Sequence, residues 1–239
     1  MSGGILGFLK SQFFATLPKP TVDCSGKTII VTGSNTGLGK EAARHFVNLG
    51  ASTVILAVRS TEKGEAAKKD IESTTGKKNV VQVWSLDMSS YKSVQDFGAR
   101  VEKELPRLDI AVLNAGIATG KYVLAEQDES TITVNVVSTV LLSLLLLPKL
   151  KATAAKFNSR TNLTLTSSEV HFWAAFPQRT APDGKLFEKM SEDTPETMKN
   201  RYELSKLLDV FATRSMADIK SASQIPVTIN TVNPGLCHS

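Results

Sequence analysis

The sequence predicts an α/β fold, one doubly wound parallel sheet in a single domain, and three observations carry that prediction. Short β-branched and apolar runs alternate with helical patterns, a glycine-bearing turn directly follows the first run, and no repeat or low-complexity tract divides the chain. Strands alternating with helices form parallel sheets covered on both faces. Right-handed crossovers then put the ligand at the carboxyl ends of the strands.

The first strand is expected at 28–32, where every residue is β-branched, and the glycine turn runs from it into a helix over 37–49. Strand 53–58 precedes helix 62–73, strand 79–85 precedes helix 93–104, and strand 109–114 precedes helix 134–155. Within that last helix, 141–147 is leucine broken only by Ser143. It falls far short of the roughly 20 residues a bilayer span needs, so it reads as a buried helix. Its leucines populate more than one face, which predicts a homo-oligomer interface through Leu141 to Leu147. Strand 162–166 is followed by an insert near 176–196 mixing Pro, Gly, Asp, Ser and Glu, read as a loop beside the site. Helix 197–219 and strand 227–232 complete the pattern.

Residues 1–26 read as an N-terminal arm before a domain over 27–239. Met1 to Leu17 is apolar but interrupted by Lys10, has no basic leader and is shorter than a span, and Ser2 stands where myristoylation requires glycine. An arm packed on the domain is expected rather than a membrane-surface anchor. The net charge of +5 is small beside 28 basic and 23 acidic residues, and the basic residues are scattered, so nucleic acid is not an expected partner. Cys24 and Cys237 make no disulfide framework, which fits a reducing, cytoplasmic location. His45, His171 and His238 lack the spacing of a zinc site, and no metal is expected.

Glycines 33, 37 and 39 are spaced G-x3-G-x-G, unlike G-x-G-x-x-G but in the same strand-turn-helix setting. Such a turn lets a pyrophosphate approach the backbone and the unpaired N–H groups of the next helix; its ordinary reading is a tight connection. Arg59 follows the second strand where a dinucleotide fold reads the ribose, with no acid at the tip. A guanidinium suits a 2′-phosphate, so NADP(H) is favoured over NAD(H), against the plain alternative of a solvated arginine. Tyr202 and Lys206, four residues apart on a helix, lie about 6 Å apart along its axis and can reach one ligand. Ser167 and Ser168 after the fifth strand, Asn135 at the next-to-last long helix, and Asn114, Ala115 and Gly116 after the fourth strand all belong to the same sheet edge. Singly they read as caps and turns. Together they read as a site.

With these residues in place, the chain resembles the short-chain dehydrogenase/reductase family over Lys27 to Gly235, by its T-G-x3-G-x-G loop, N-A-G turn and Asn, Ser, Tyr, Lys tetrad. The resemblance implies a Rossmann-like domain in which Asn135, Ser168, Tyr202 and Lys206 are the tetrad, Ser168 being preferred to Ser167. It implies NADP(H) contacts from Gly33, Asn35, Thr36, Gly37, Leu38, Gly39, Arg59, Asp87, Asn114, Ala115, Gly116, Tyr202, Lys206, Pro234 and Gly235, with Asp87 on the adenine. The wording around Asn135, Thr133 to Val137, and the long gap from Ser168 to Tyr202 are similar to retinol-dehydrogenase-like and fungal carbonyl-reductase members.

The chemistry so implied is reversible hydride transfer on a small-molecule carbonyl or alcohol, with Tyr202 as proton donor, Lys206 holding the nicotinamide ribose, Ser168 bonding the substrate oxygen and Asn135 positioning a water. Phe172 to Phe176, Phe-Trp-Ala-Ala-Phe, either lines a pocket for a lipophilic or secondary-metabolite carbonyl compound or packs in the core. No G-x-S-x-G elbow exists, which argues against a serine hydrolase. Family members continue past the Asn233-Pro234-Gly235 turn with a lid helix and a seventh strand, both apparently missing here, and Ser239 falls where they often carry a nicotinamide-contacting threonine. A non-catalytic NADP(H)-binding or scaffold protein, or a non-redox use of the cleft, is therefore the alternative.

Overall fold

The computed structural model describes residues 18–219, 226–235 and 237. Met1 to Leu17 of the expected arm, and Ser239, lie outside the described residues. Six parallel strands form one sheet: β1 (Thr28–Thr32), β2 (Thr53–Val58), β3 (Val81–Ser85), β4 (Ile110–Leu113), β7 (Thr161–Thr166) and β8 (Val227–Val232), in the order β3-β2-β1-β4-β7-β8. The order reverses between β1 and β4, and at such a switch point the loops diverge to open a crevice at the carboxyl edge. A small antiparallel hairpin, β5 (Leu124–Ala125) with β6 (Asp128–Glu129), stands apart and was not expected from the sequence.

Alternation along the strands assigns the two faces. Ile29, Val31, Val54, Leu56 and Val58 pack under α1 (Gly37–Asn48) and α2 (Thr61–Thr75), which contribute Ala43, Val47, Ala67 and Ile71. Ile30, Ile55, Ala57 and Leu163 face α3 (Tyr91–Glu104) and α4 (Thr139–Phe157), which contribute Val94, Phe97, Val101, Leu142, Leu146 and Leu150. Both layers are thus inward stripes of amphipathic helices on a sheet buried on each side. Cys24, within the expected arm, is already buried with this core, and its N–H donates to the Leu49 carbonyl at 2.9 Å.

Several boundaries differ from the sequence expectation. The third strand begins at Val81 rather than 79, because Asn79 takes a left-handed φ of 62° that breaks the extended run. The helix expected over 134–155 starts earlier as a π-helical turn, Ile132–Ser138, so Asn135 lies within a helix instead of capping one. The helix expected over 197–219 is two: α6 (Pro195–Lys199), capped by Thr194, and α7 (Arg201–Asp218). They separate at Asn200, whose side chain accepts from the Ala175 N–H at 2.9 Å and donates to its carbonyl at 2.6 Å. The insert is not a bare loop: it holds a 3₁₀ turn, Pro177–Thr180, and α5 (Leu186–Met190), with Met190 buried beside Ile132, Val136 and Leu204.

The stretch Ile132–Phe157 is long and apolar enough to cross a membrane, but 56% of its most apolar part is buried within the molecule. Its several leucine faces are largely used internally: Leu142, Leu146 and Leu150 enter the core, and Leu145 meets α3 at Gly98, where a Cβ would lie 2.9 Å from Leu145 Cβ. Leu144 is left 51% exposed. Pro148, inside α4, removes the N–H that would bond the Leu144 carbonyl, a loss water can repair because both residues are exposed.

Candidate active site at the carboxyl edge of the sheet

The turn after β1 is shaped by what cannot fit into it. Gly33 has a φ of +65°, and a Cβ there would lie 2.9 Å from Ala115 Cα; at Gly39 a Cβ would lie 2.6 Å from both the Gly33 carbonyl oxygen and Asn114 Nδ2. The turn is stitched to the loop after β4: Thr32 Oγ1 accepts the N–H groups of Asn114 and Ala115, both at 2.9 Å, and Asn114 Nδ2 donates to the Thr32 carbonyl at 3.1 Å. Thr36 precedes α1 without a side-chain cap. The first N–H groups of α1 are therefore left without a side-chain cap next to Asn35, Thr36, Gly37 and Leu38, an arrangement able to hold an anion.

Beside this turn lies an open cleft of about 430 Å³ lined by Asn35, Thr36, Lys40, Lys63, Ala66, Ala67 and Asp70. Lys40 is paired with Asp70 at 3.1 Å. Among the described residues neither the Arg59 guanidinium nor the Lys63 ammonium has an ionic partner, and Arg59 is exposed at the end of β2. Lys63 was not singled out from the sequence, although its place four residues after Arg59, in the first turn of α2, was the available signal. Asp87 follows β3, and its Oδ1 accepts from the Ser89 N–H at 2.9 Å and hydroxyl at 2.7 Å. Pro234 and Gly235 follow β8, where Gly235 donates its N–H to Asn233 Oδ1 at 3.0 Å.

The expected tetrad residues arrive from three elements. Asn135, in the π-helical turn, accepts the Ile117 N–H at 2.8 Å and donates from Nδ2 to the Ile117 carbonyl at 2.9 Å and to Ser205 Oγ at 3.0 Å. It therefore ties the loop after β4 to α7, whose next residue is Lys206. Lys206 is buried, and its Nζ donates to the Thr166 carbonyl at 2.8 Å and to Asp209 Oδ2 at 3.0 Å. A Cβ on Gly116 would lie 3.2 Å from Asn135 Oδ1 and 3.7 Å from Lys206 Nζ, so the Asn-Ala-Gly turn, Asn135 and Lys206 share one spot. Tyr202 stands one turn before Lys206, with the ammonium 5.8 Å from its ring centroid. Ser167 spends its hydroxyl on the Lys206 carbonyl at 2.8 Å, whereas Ser168 Oγ only accepts a 3.5 Å contact from the Val170 N–H and keeps its proton to donate.

Two further features were missed in the sequence. Asp209, one turn after Lys206, is buried and pushed up to about 6 by loss of solvent, with Lys206 pulling the other way. Its i, i+3 spacing from the lysine was the available signal. Arg201, directly before Tyr202, is 1% exposed; it donates from Nη2 to the Glu192 carbonyl at 3.0 Å, and its Nε lies 3.7 Å from the buried Glu129 carboxylate. That carboxylate in turn accepts from Ser130, Thr131 and the Thr131 N–H, so the hairpin, the insert and the start of α7 are coupled. Of the Phe172 to Phe176 stretch, expected either to line a pocket or to pack in the core, Phe172 and Trp173 lie in a 3₁₀ turn (Glu169–Trp173) capped by Ser168 and are 73% and 68% exposed, which rules out core packing for these two rings.

The sequence pattern described as short chain dehydrogenase matches residues 27–168. A short chain dehydrogenase/reductase of Cryptosporiopsis sp., dmxR8, is 59% identical over 98% of this chain and 73% of its own length. The short chain dehydrogenase atnD of Emericella nidulans is 46% identical over 96% of this chain and 73% of its own length. Among solved structures, a short chain dehydrogenase of Escherichia coli CFT073 complexed with NADPH superposes with a TM-score of 0.66 at 27% identity, covering 92% of this chain and 80% of the other. One from Shigella flexneri complexed with NADP gives 0.65 at 25% identity, over 91% and 80%.

Proposed function

The chain belongs to the short-chain dehydrogenase/reductase family and is an oxidoreductase on that ground; from this premise we propose that it interconverts a lipophilic carbonyl compound and the corresponding alcohol with NADP(H). One observation carries the reading: Asn135 and Lys206 close on the Gly116 turn while the Tyr202 hydroxyl, among the described residues, has no hydrogen-bond partner and Ser168 keeps a proton to give.

The residues present fit the cofactor. Gly33 and Gly39 let the turn close tightly on Ala115 and Asn114, and the uncapped start of α1 that follows offers N–H groups to a pyrophosphate. Lys63 lines the cleft beside this turn and Arg59 stands exposed at the end of β2, and among the described residues neither has an ionic partner, which supports a 2′-phosphate and hence NADP(H). Asp87, Asn114, Ala115, Pro234 and Gly235 would line the remainder. When bound, the nicotinamide supplies or accepts the hydride.

In the reducing direction the carbonyl π bond opens as the carbon gains hydride, and negative charge collects on its oxygen. Ser168 donates a hydrogen bond to that oxygen, and Tyr202 delivers its proton there, leaving an alcohol and a phenolate. The Lys206 ammonium stabilises the phenolate, and Asn135 holds the geometry through which a water returns the proton. The exposed Phe172 and Trp173 rings, just beyond Ser168, support a lipophilic or aromatic substrate of the secondary-metabolite kind.

Tyr202→Phe should lower NADPH-dependent reduction across a panel of aldehydes, ketones and quinones by 10²–10⁴-fold or more while NADPH binding, read by its fluorescence, is retained. Undiminished turnover in that variant would remove Tyr202 from the mechanism. No turnover by the parent chain on the whole panel would favour a non-catalytic NADP(H)-binding role.

A further inference from the structure

Lys206 does not enter the site as a free cation. Two of the three donor positions of its ammonium are directed into the protein, to the Thr166 carbonyl at 2.8 Å and to Asp209 Oδ2 at 3.0 Å, and both side chains are buried. The other carboxylate oxygen, Asp209 Oδ1, is buried with no hydrogen-bond partner among the described residues, so the lysine is the aspartate's one anchor. We propose that Asp209 is a positioning residue that holds the Lys206 ammonium and offsets its charge beside Tyr202, keeping the tyrosine in its proton-donating form and so favouring carbonyl reduction over alcohol oxidation near neutral pH. The proposal rests on the reductase reading above, in which Tyr202 gives a proton in reduction and must be a phenolate to accept one in oxidation.

The surroundings make the pair electrically isolated. Of the elements packed against α7, β7, β8 and the π-helical turn Ile132–Ser138 carry no ionisable side chain. The 3₁₀ turn after Ser168 brings Glu169 and His171, and α6 brings Glu196 and Lys199, but among the described residues Lys206 is the one charged group that acts on Asp209. Whatever charge Asp209 carries is therefore felt first by Lys206 and, through it, by the phenol one turn earlier. A lone ammonium at that place favours the phenolate; an ammonium neutralised by a carboxylate 3.0 Å away favours it less. Burial raises the carboxyl to about 6, so the pair is neutral above that pH and becomes cationic below it.

The test removes the charge and keeps the shape. In Asp209→Asn the phenolate absorbance of Tyr202, taken as the difference from the same protein carrying Tyr202→Phe, should develop about one pH unit lower than in the parent. The rise of alcohol oxidation with pH should move down by the same amount, while NADPH affinity changes little. A folded Asp209→Asn with an unmoved phenolate midpoint overturns the proposal, because a merely structural aspartate would lower the melting temperature without moving that midpoint. If Asp209→Asn does not fold, Asp209→Leu is measured in the same way, and failure of both to fold overturns the proposal as well, making the carboxylate a structural group. Absence of turnover on every alcohol counts against the reductase reading alone, since the phenolate shift is read without turnover.

Discussion

Gly39, after the turn that follows β1, and Gly120, in the loop after β4, tolerate change differently. A Cβ at Gly39 would meet the Gly33 carbonyl oxygen, a backbone atom, at 2.6 Å, whereas one at Gly120 meets nothing within 4 Å. Gly39→Ala should therefore destabilise the chain by about 1–3 kcal/mol and weaken NADPH binding, with Gly120→Ala close to neutral, as denaturant melts and cofactor titration would show. The need for glycine here was legible in the sequence as a pattern, but the reason for it was not: the obstructing atoms belong to Gly33 and to Asn114, the latter far along the chain. Ser167 and Ser168 carry the same lesson. Adjacent and identical in type, they are told apart once the Lys206 carbonyl is seen to occupy Ser167 at 2.8 Å.

Among the elements, the π-helical turn Ile132–Ser138 is joined to distant partners through the side chain of Asn135. Asn135 satisfies both backbone groups of Ile117 and reaches Ser205, so one side chain joins the loop after β4, the start of the long helix and α7. Asn135→Ala would leave the Ile117 N–H and carbonyl without partners in a partly buried place. That change should cost about 1–3 kcal/mol, lowering the melting temperature by several degrees, and should reduce turnover more than NADPH binding. Calorimetry beside steady-state kinetics separates the two effects. The six main strands were legible to within two residues because their β-branched runs are local signals. The break between α6 and α7 was not, since Asn200 leaves the helix to bond Ala175, 25 residues earlier.

At the scale of the whole molecule, a parallel sheet with its order reversing between β1 and β4 gathers residues from six loops onto one edge. A ligand spanning that edge stabilises every strand that carries it. NADPH at about 100 times its dissociation constant should add about 2.7 kcal/mol to stability, NADH at the same concentration less, and Arg59→Asp should narrow the gap between them; an unchanged gap in thermal-shift measurements would take Arg59 out of cofactor selection. The sequence by itself determined the α/β layering, the strand sequence and the identity of the glycine turn and of the Tyr202 and Lys206 pair, because alternation, glycine placement and helical spacing are written within a few residues of one another. Tertiary structure alone decided that Phe172 and Trp173 stand in solvent, that Arg201 is buried against Glu129, and that Lys206 is held by Asp209 and Thr166. Those outcomes depend on which surfaces remain after the layers pack and on the removal of charges from water, and neither quantity exists until the chain is folded.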